Sequence, residues 1–372
     1  MEPIKAIGMM SGTSMDGIDV ALLVTDGEAF VRPGPSRGYP YEADLRAQLK
    51  GAMRLARELA PGDPVPAEIA AAERELTLAH GGAVAMFFHQ VGGPASGTRL
   101  LGFHGQTIFH APERGRTWQL GDGPLLAQVT GFDTVHDFRT ADVAAGGQGA
   151  PFVPLYHAAL VARLRVRGLM GPVAVLNLGG VGNLTYVGPD GAIMAFDTGP
   201  ANGPIDDWIE AHTGQRMDAD GAVAAKGRVH EELVLAALDH PFFDLAPPKS
   251  LDRGDFPADL ARGLSLEDGA ATLTAFSAAS VAAARDFLPE APDLWIACGG
   301  GRRNPSLLAA LRTRLGVPVL ACEEVGWDGD AIEAQAFAYL AVRSLRGLPL
   351  SLPETTGVVR PMPGGRLAKA RP

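Results

Sequence analysis

A polar turn near the start of the chain places one carboxylate among glycines and hydroxyl groups. Residues 9–23 read MMSGTSMDGIDVALL, and the apolar runs at 4–7 and 20–24 predict two strands joined by this turn. Glycines allow close backbone approach, and hydroxyl groups beside exposed amides suit an anion. Asp16 would repel a phosphate unless a divalent cation lay between the two groups. The turn therefore predicts a site for a Mg²⁺ nucleotide, although a plain hairpin turn explains the same residues through backbone preference alone.

In the nucleotide interpretation, the amides of the turn donate to phosphate and Asp16 organises the magnesium ion through coordinated water. The predicted nucleotide contacts in this turn are Gly12, Thr13, Ser14, Met15, Asp16, Gly17, Ile18 and Asp19.

A second glycine-rich turn repeats the pattern in the other half of the chain. Residues 173–187 read VAVLNLGGVGNLTYV, again a strand, a polar turn and a strand, and here Gly179, Gly180 and Asn183 are the predicted phosphate contacts. Neither turn matches G-x-x-x-x-G-K-[ST] or G-x-G-x-x-G, so the commonest nucleotide folds are excluded. Two such turns favour a duplicated domain that holds one nucleotide.

A third glycine cluster follows the apolar run at 294–298 and precedes leucines at helical spacing. Asn304 and Pro305 suit the cap and first turn of that helix. Backbone without side chains beside a helix start can take a flat base and its ribose, so Gly299, Gly300 and Asn304 are predicted adenosine contacts. A tight strand-to-helix turn is the alternative.

Composition limits the classes of function. A chain of 372 residues with 47% hydrophobic content can bury a large core and suggests two domains. Its net charge of -10 argues against nucleic acid or an anionic membrane as partner. Cys298 and Cys322 are too few for a disulfide framework or a thiolate zinc site, and they are expected to be buried thiols. Because neither a signal segment nor a long apolar run is apparent, a cytoplasmic location is expected.

Several motifs, in order from residue 8 to about residue 341, resemble the anhydro-N-acetylmuramic acid kinase family. That family belongs to the sugar kinase, Hsp70 and actin superfamily, with two ribonuclease H-like domains that close on ATP. The resemblance implies that water opens the 1,6-anhydro bond while the γ-phosphoryl group of ATP moves to O6, giving N-acetylmuramic acid 6-phosphate and ADP in cell-wall recycling. It also implies a homodimer. The motifs are GMMSGTSMDGID, GFHGQTIFH, DFRTADVAAGGQGAPFVPLYH, LNLGGVGNLT, DTGPAN, CGGGRRNP and EAQAFAYLA.

Such a reaction needs one carboxylate to activate water, and Asp197 is the predicted general base. It follows the apolar run at 193–196 and precedes Gly199 and Pro200, which predicts a place at the end of a strand. The resemblance also puts the base in this DTGP motif. An aspartate that caps a turn through its own backbone is the alternative.

Arg139 and Asp142 are predicted to bind the sugar. Arg139 can fork onto the lactyl carboxylate, and Asp142 can accept from a hydroxyl or amide group. A surface salt bridge is the alternative for this pair. Glu333 opens a helix expected to be buried along much of its length, and it is predicted to orient the attacking water or bind sugar. A partner for the helix dipole is its alternative role.

His104 and Gln106 match the HGQT segment of the family and are predicted to border the sugar. Packing or hydrogen bonding within the protein is the alternative for the histidine. The segment 247–256, PPKSLDRGDF, departs from the glycine-arginine-glutamate version of related proteins. Its Lys249, Ser250 and Arg253 are predicted to form a flap near the nucleotide.

The predicted fold is α/β, with two ribonuclease H-like domains flanking a cleft for nucleotide and sugar. The first domain covers 1–137 and is joined by the segment 345–372, and the second covers 138–344. The expected partners are an amino sugar, ATP and Mg²⁺, with no tightly held zinc because histidine and cysteine clusters with ligand spacing are lacking.

Two other classes of function remain open. Another sugar or acetate kinase of this fold would share the phosphate turns but lack the GFHGQT and DFRTAD pair, and it would prefer an intact pyranose. An actin-like or chaperone ATPase would need polymer contacts or an added peptide-binding domain, for which the chain has no spare length.

Overall fold

The computed structural model describes residues 1–12, 15–93, 97–251 and 254–370. The chain divides into two compact units. Unit 1 comprises Met1–Arg163 and Asp330–Pro372, and unit 2 comprises Leu164–Gly329. None of the helices in the described ranges combines the length and the apolar character that a membrane-spanning segment requires.

The elements of unit 1 are β1 (Ile4–Ser11), β2 (Gly17–Thr25), β3 (Val31–Pro40), α1 (Ala43–Glu58), α2 (Ala67–Gln90), β4 (Thr98–Ala111), β5 (Arg116–Leu120), α3 (Gly123–Thr130), β6 (Asp133–His136), α4 (Thr140–Ala144), α5 (Pro154–Arg165), α10 (Ile332–Leu345), α11 (Pro353–Thr356) and β12 (Arg366–Ala368). They are built on one mixed sheet with the order β12-β6-β4-β1-β2-β3, and β5 pairs with β4. Strands β1, β2 and β3 are antiparallel neighbours, whereas β4 runs parallel to β1 and β6 runs parallel to β4.

The elements of unit 2 are β7 (Val173–Leu178), β8 (Val181–Val187), β9 (Ile193–Pro200), α6 (Asn202–Thr213), α7 (Glu231–Leu238), α8 (Leu266–Ala283), β10 (Leu294–Cys298), α9 (Pro305–Leu315) and β11 (Val319–Ala321). Unit 2 repeats the topology of unit 1 with the order β11-β10-β7-β8-β9. Strands β7, β8 and β9 are antiparallel neighbours, whereas β10 runs parallel to β7 and β11 runs parallel to β10. The predicted duplication of an α/β domain with the ribonuclease H-like strand order is therefore confirmed.

Helix α10 packs directly on the backbone of β1 and β4, and glycines make that approach possible. A Cβ atom at Gly8 would lie 1.7 Å from the carbonyl oxygen of Ala334, and one at Gly102 would lie 2.1 Å from that of Phe337. Any larger residue would push the helix away from the sheet. This packing makes α10 part of unit 1.

The limits of the units differ from the predicted boundaries. Unit 1 continues past residue 137 to Arg163 and resumes at Asp330 instead of 345. The physical reasons are packing contacts: α4 lies against β5, and α10 lies against β1, β2 and β4. The final segment lies in unit 1, where β12 pairs antiparallel with β6.

Candidate functional site

The first turn has the predicted strands on both sides, since β1 and β2 pair from Ile4 with Thr25 to Met10 with Asp19. The carbonyl oxygen of Gly12 accepts from the amide of Met15 at 3.1 Å and from Nε2 of Gln106 at 3.1 Å. Gln106 therefore supports this turn from β4. Its Oε1 atom is buried with no hydrogen-bond partner among the described residues.

Not every residue of this turn can offer a side chain to a nucleotide. The side chains of Met15 and Ile18 are buried in two apolar clusters, so they pack the core. Gly17 is needed for packing, because a Cβ atom there would lie 2.2 Å from the carbonyl oxygen of Tyr39. The side chain of Asp19 is exposed on β2. The predicted contacts Thr13 and Ser14 lie outside the described residues.

Asp16 projects into solvent from the turn. Its side chain is 58% exposed, and Oδ1 lies 3.4 Å from Nη2 of Arg46 on α1. The carboxylate is thus accessible to a hydrated cation. Across the described ranges, no group of three or more His, Cys, Asp and Glu residues has the arrangement of a metal site.

Three polar side chains beneath the turn form a network that sequence reasoning missed. Ser11 Oγ hydrogen-bonds to the hydroxyl of Tyr41 and lies 3.2 Å from Nε2 of His80. Nδ1 of His80 lies 2.8 Å from the carbonyl oxygen of Leu76, to which it donates. Burial lowers the pKa of His80 to about 4. His80 is therefore neutral and accepts at Nε2 from Ser11, the residue before the turn.

His104 and Arg139 contact each other as part of a cluster in unit 1. Nε and Nη2 of Arg139 lie 3.2 and 3.0 Å from Nε2 of His104, and Nη1 donates to the carbonyl oxygen of Gly149 at 2.6 Å. Nδ1 of His104 donates to the carbonyl oxygen of Gly105 at 2.7 Å, so Nε2 is the acceptor. Burial, and then the charge of Arg139, hold the pKa of His104 well below its ordinary value. His104 thus orients Arg139 as a neutral acceptor.

Asp142 does not form the exposed ion pair that the spacing allowed. Its side chain is 1% exposed, and Oδ1 accepts from the amide of Gly149 at 2.6 Å. The other oxygen, Oδ2, is buried without a hydrogen-bond partner among the described residues. Burying a carboxylate oxygen without a partner costs free energy.

Glu333 lies in the first turn of α10, as predicted, and belongs to the same electrostatic group. Glu333 is exposed at the surface, but the protein around its carboxyl group removes part of its hydration and raises its pKa, whereas the charge of Arg139 lowers it. Burial lowers the pKa of Arg139 to about 10, with Glu333 and then Asp142 opposing that shift. Two residues later, Gln335 accepts from the hydroxyl of Tyr156 at 2.8 Å, while its buried Nε2 lacks a partner among the described residues.

Asp197 lies inside β9 in unit 2, so its predicted position at the end of the strand was wrong. The strand continues to Pro200 because a bulge at Thr198 lets Gly199 pair with Gly182. Bulges redirect a neighbouring side chain and are frequent beside active sites. Asp197 pairs with Asn183 on β8, which pairs with Asn177 on β7. These polar residues therefore form one half-buried row across three strands, and Asn177 had no predicted role.

The segment after Pro248 holds Asp197 by two hydrogen bonds. The amide of Asp197 donates to the carbonyl oxygen of Lys249 at 3.0 Å, and its Oδ2 accepts from the amide of Leu251 at 2.9 Å. Lys249 is 9% exposed and thus part of the protein interior. The predicted flap is wrong for this residue, and Arg253 lies outside the described residues.

The second turn is closed against the start of α6. Gly179 accepts from the amide of Asn202 at 2.8 Å, and Gly180 accepts from the amides of Ala201 and Gly203 at 3.0 Å each. Nδ2 of Asn202 also donates to the carbonyl oxygen of Leu178 at 2.8 Å. These hydrogen bonds fix the turn against the first turn of α6.

The third glycine cluster is a strand-to-helix turn. Gly299 has a φ of 70°, and a Cβ atom there would lie 2.4 Å from Oδ1 of Asn177. Oδ1 of Asn304 accepts from the amide of Leu307 at 3.0 Å, so the predicted cap of α9 is confirmed. A Cβ atom at Gly300 would have no neighbour within 4 Å. The space around the backbone of Gly300 is therefore open, whereas the side chain of Asn304 caps α9.

Comparison with known proteins identifies the family. The family model "Anhydro-N-acetylmuramic acid kinase" matches residues 4–369. An anhydro-N-acetylmuramic acid kinase of Paramagnetospirillum magneticum is 53% identical over 364 residues, covering 97% of this chain and 98% of that protein. One of Acidiphilium cryptum is 52% identical over 372 residues, covering 99% of each.

Solved structures with similar folds are more distant. Component A of the (R)-2-hydroxyglutaryl-CoA dehydratase of Acidaminococcus fermentans is 13% identical with a TM-score of 0.48, covering 92% of this chain and 99% of that one. A ROK family glucokinase of Streptomyces griseus, solved with glucose and AMPPNP, is 15% identical with a TM-score of 0.37, covering 91% and 99%. The match at about half identity along nearly the whole chain decides the family: the chain belongs to the anhydro-N-acetylmuramic acid kinases, which are phosphotransferases.

Proposed function

We propose that this kinase opens 1,6-anhydro-N-acetylmuramic acid with water and transfers the γ-phosphoryl group of ATP to O6, with Asp197 as the general base. Water attacks the anomeric carbon and loses a proton to the carboxylate. The electron pair of the broken bond between C1 and the bridging oxygen stays on that oxygen, which attacks the γ-phosphorus. The products are N-acetylmuramic acid 6-phosphate and ADP. Family membership supports the kinase reaction and the use of ATP.

The observation that carries the choice of base is the pair of hydrogen bonds around Asp197. A base must keep one orientation toward the water it activates. The two bonds from segment 249–251 supply that orientation, and the half-buried position in β9 keeps the carboxylate accessible to a reactant.

Sugar recognition is assigned to the cluster of His104, Arg139, Asp142 and Glu333. Oδ2 of Asp142 accepts from a hydroxyl or amide of the sugar, which would give this buried oxygen the partner it lacks within the described protein. Arg139 attracts the lactyl carboxylate, using N–H groups beyond those that donate to His104 and Gly149. Glu333 orients a sugar hydroxyl or the attacking water from the start of α10.

Nucleotide binding is assigned to the backbone of the two glycine turns and to Gly300. When bound, Mg²⁺ neutralises charge on the phosphates. Asp16 suits the water shell of that ion, because its exposed carboxylate is of the ligand type that Mg²⁺ accepts.

The experiment that tests this function locates the oxygen from water. The protein is incubated with ATP, Mg²⁺ and the anhydro sugar in ¹⁸O-labelled water, and the product is analysed by mass spectrometry. Label on the anomeric hydroxyl group is expected. Faster phosphorylation of an intact pyranose, or a product without label at that position, would favour another sugar kinase.

A further inference from the structure

Lys249 is a buried ammonium group in unit 2. Its Nζ donates to the carbonyl oxygens of Phe242 and Phe243, at 3.1 and 3.3 Å. The ring centroids of Phe242 and Phe287 lie 4.6 and 4.3 Å from Nζ, and that of Phe196 lies 6.0 Å away. Among the residues that the structure describes, no carboxylate forms an ion pair with it. Burial lowers the pKa of Lys249, and the charge of Asp244 opposes that shift.

A lysine in such surroundings needs an explanation. Lysine is rarely buried without a charged partner, because removing an ammonium from water costs free energy. Carbonyl oxygens and aromatic rings offset part of that cost. These contacts anchor the side chain of Lys249 to the short helical turn Pro241–Asp244 and to Phe287. The anchored side chain restricts the movement of the Lys249 backbone.

The backbone attached in this way is the one that contacts Asp197. The carbonyl oxygen of Lys249 accepts from the main chain of Asp197, and the amide of Leu251 donates to its carboxylate. Lys249 therefore supplies both the anchored side chain and the carbonyl oxygen that accepts from the amide of Asp197. Leu251, whose amide donates to the carboxylate of Asp197, is two residues later. A shift of this segment would move both hydrogen bonds together.

We propose that Lys249 is a positioning residue of the reaction: its anchored side chain holds segment 249–251, and that segment holds the carboxylate of Asp197 in its reactive orientation. The proposal rests on the proposed function, in which Asp197 is the base. Displacement of a reacting group by about 1 Å can reduce the rate by up to about a hundredfold. The loss should appear in kcat, since Lys249 contacts neither substrate in this scheme.

The first test replaces the ammonium by an apolar side chain of similar length, Lys249→Met. We expect kcat to fall between about tenfold and a hundredfold while KM for ATP and for the sugar changes by less than about twofold. The matched control is Lys226→Met at an exposed lysine of the same unit, which should leave kcat unchanged. Thermal unfolding checks that each variant is folded. If Lys249→Met does not fold, Phe287→Leu weakens the same anchor and should give the same pattern with a smaller loss.

A double-mutant cycle separates positioning of the base from general destabilisation. In the Asp197→Asn background, measured in single turnovers at high enzyme concentration, Lys249→Met should lower the rate by less than about twofold, because its effect passes through the lost carboxylate. An equal factor in both backgrounds, or full kcat for Lys249→Met alone, would overturn the positioning role while leaving the base in place. Near-normal turnover of Asp197→Asn alone would instead overturn the base, and the positioning role with it.

Discussion

Two hydrogen bonds orient Asp197: its amide donates to the carbonyl oxygen of Lys249, and its Oδ2 accepts from the amide of Leu251. Because both partners are main-chain groups, replacing the carboxylate by an amide of the same shape should disturb its surroundings little. The variant Asp197→Asn should therefore lower kcat by at least about a hundredfold with KM for ATP nearly unchanged, as measured by steady-state kinetics. Asp190→Asn, in the exposed turn before β9, is the matched control. Turnover near that of the wild type would contradict the base.

A second prediction at the residue scale concerns His80 and the pH dependence of the free energy of unfolding. Burial lowers its pKa to about 4, below its ordinary value of 6.5. Between these two pKa values the unfolded chain binds a proton at His80 and the folded chain does not. The free energy of unfolding therefore falls as the pH drops below 6.5, and it keeps falling until about pH 4. Between pH 7 and pH 5, His80 should remove about 2 kcal/mol from the free energy of unfolding.

Urea unfolding at both pH values measures this contribution. In His80→Gln, the difference between the two pH values should be smaller than in the wild type by that amount, whatever the variant does to stability at pH 7. The other buried histidines, His104 and His157, keep their own share of the acid sensitivity. The same pH dependence in both proteins would show that the folded and the unfolded chain bind a proton at His80 equally well, so that its pKa is not lowered by folding.

At the scale of elements, the turn between β1 and β2 presents Asp16 beside Arg46. An exposed ion pair contributes at most about 1 kcal/mol, so breaking it alone should have little effect on the fold. We expect Asp16→Ala to weaken Mg²⁺-dependent ATP binding and turnover together, as measured by calorimetry and kinetics across a magnesium titration. Arg46→Met breaks the same ion pair but keeps the carboxylate. If its magnesium titration matched that of Asp16→Ala, the role of Asp16 would be the ion pair and not the metal.

The contact between α10 and the sheet is the second feature at this scale. Gly8→Ala would put a methyl group 1.7 Å from the carbonyl oxygen of Ala334, a backbone atom that cannot move alone. We expect a loss of about 3 kcal/mol in the free energy of unfolding, with reduced activity because α10 carries Glu333. Gly51→Ala in α1 is the control, because its methyl group would have no neighbour within 4 Å and should be neutral or stabilising. A stable Gly8→Ala variant would show that the helix can shift.

At the scale of the whole molecule, unit 2 is formed by one continuous segment of the chain, whereas unit 1 is formed by two. Unit 2 is one segment, Leu164–Gly329, with its whole sheet inside it, whereas unit 1 needs α10 and β12 from Asp330–Pro372. We therefore expect the fragment 164–329 to fold alone and unfold cooperatively in circular dichroism. The fragment 1–163 should need co-expression of 330–372 to become soluble. A soluble, cooperative fragment 1–163 would contradict the requirement for α10.

The sequence by itself determined features that depend on a few neighbouring residues. The alternation of apolar runs and glycine turns predicted the hairpins β1–β2 and β7–β8, and asparagine before proline predicted the cap of α9. The ordered motifs identified the family. These signals are readable because backbone preference and capping act within about one turn of chain.

Only the tertiary structure decided which distant groups meet. Asp197 lies inside a strand because a bulge continues the pairing, and its partner Leu251 is 54 residues away. His104 accepts a hydrogen bond from Arg139, which is 35 residues later in the chain. Lys249 was expected in a flap because its segment is polar, but its side chain is buried among aromatic rings. The limits of unit 1 likewise depend on α10 packing against β1, β2 and β4, which lie far earlier in the chain. Register, bulges and helix packing set such contacts, and none of them is encoded in local residue spacing.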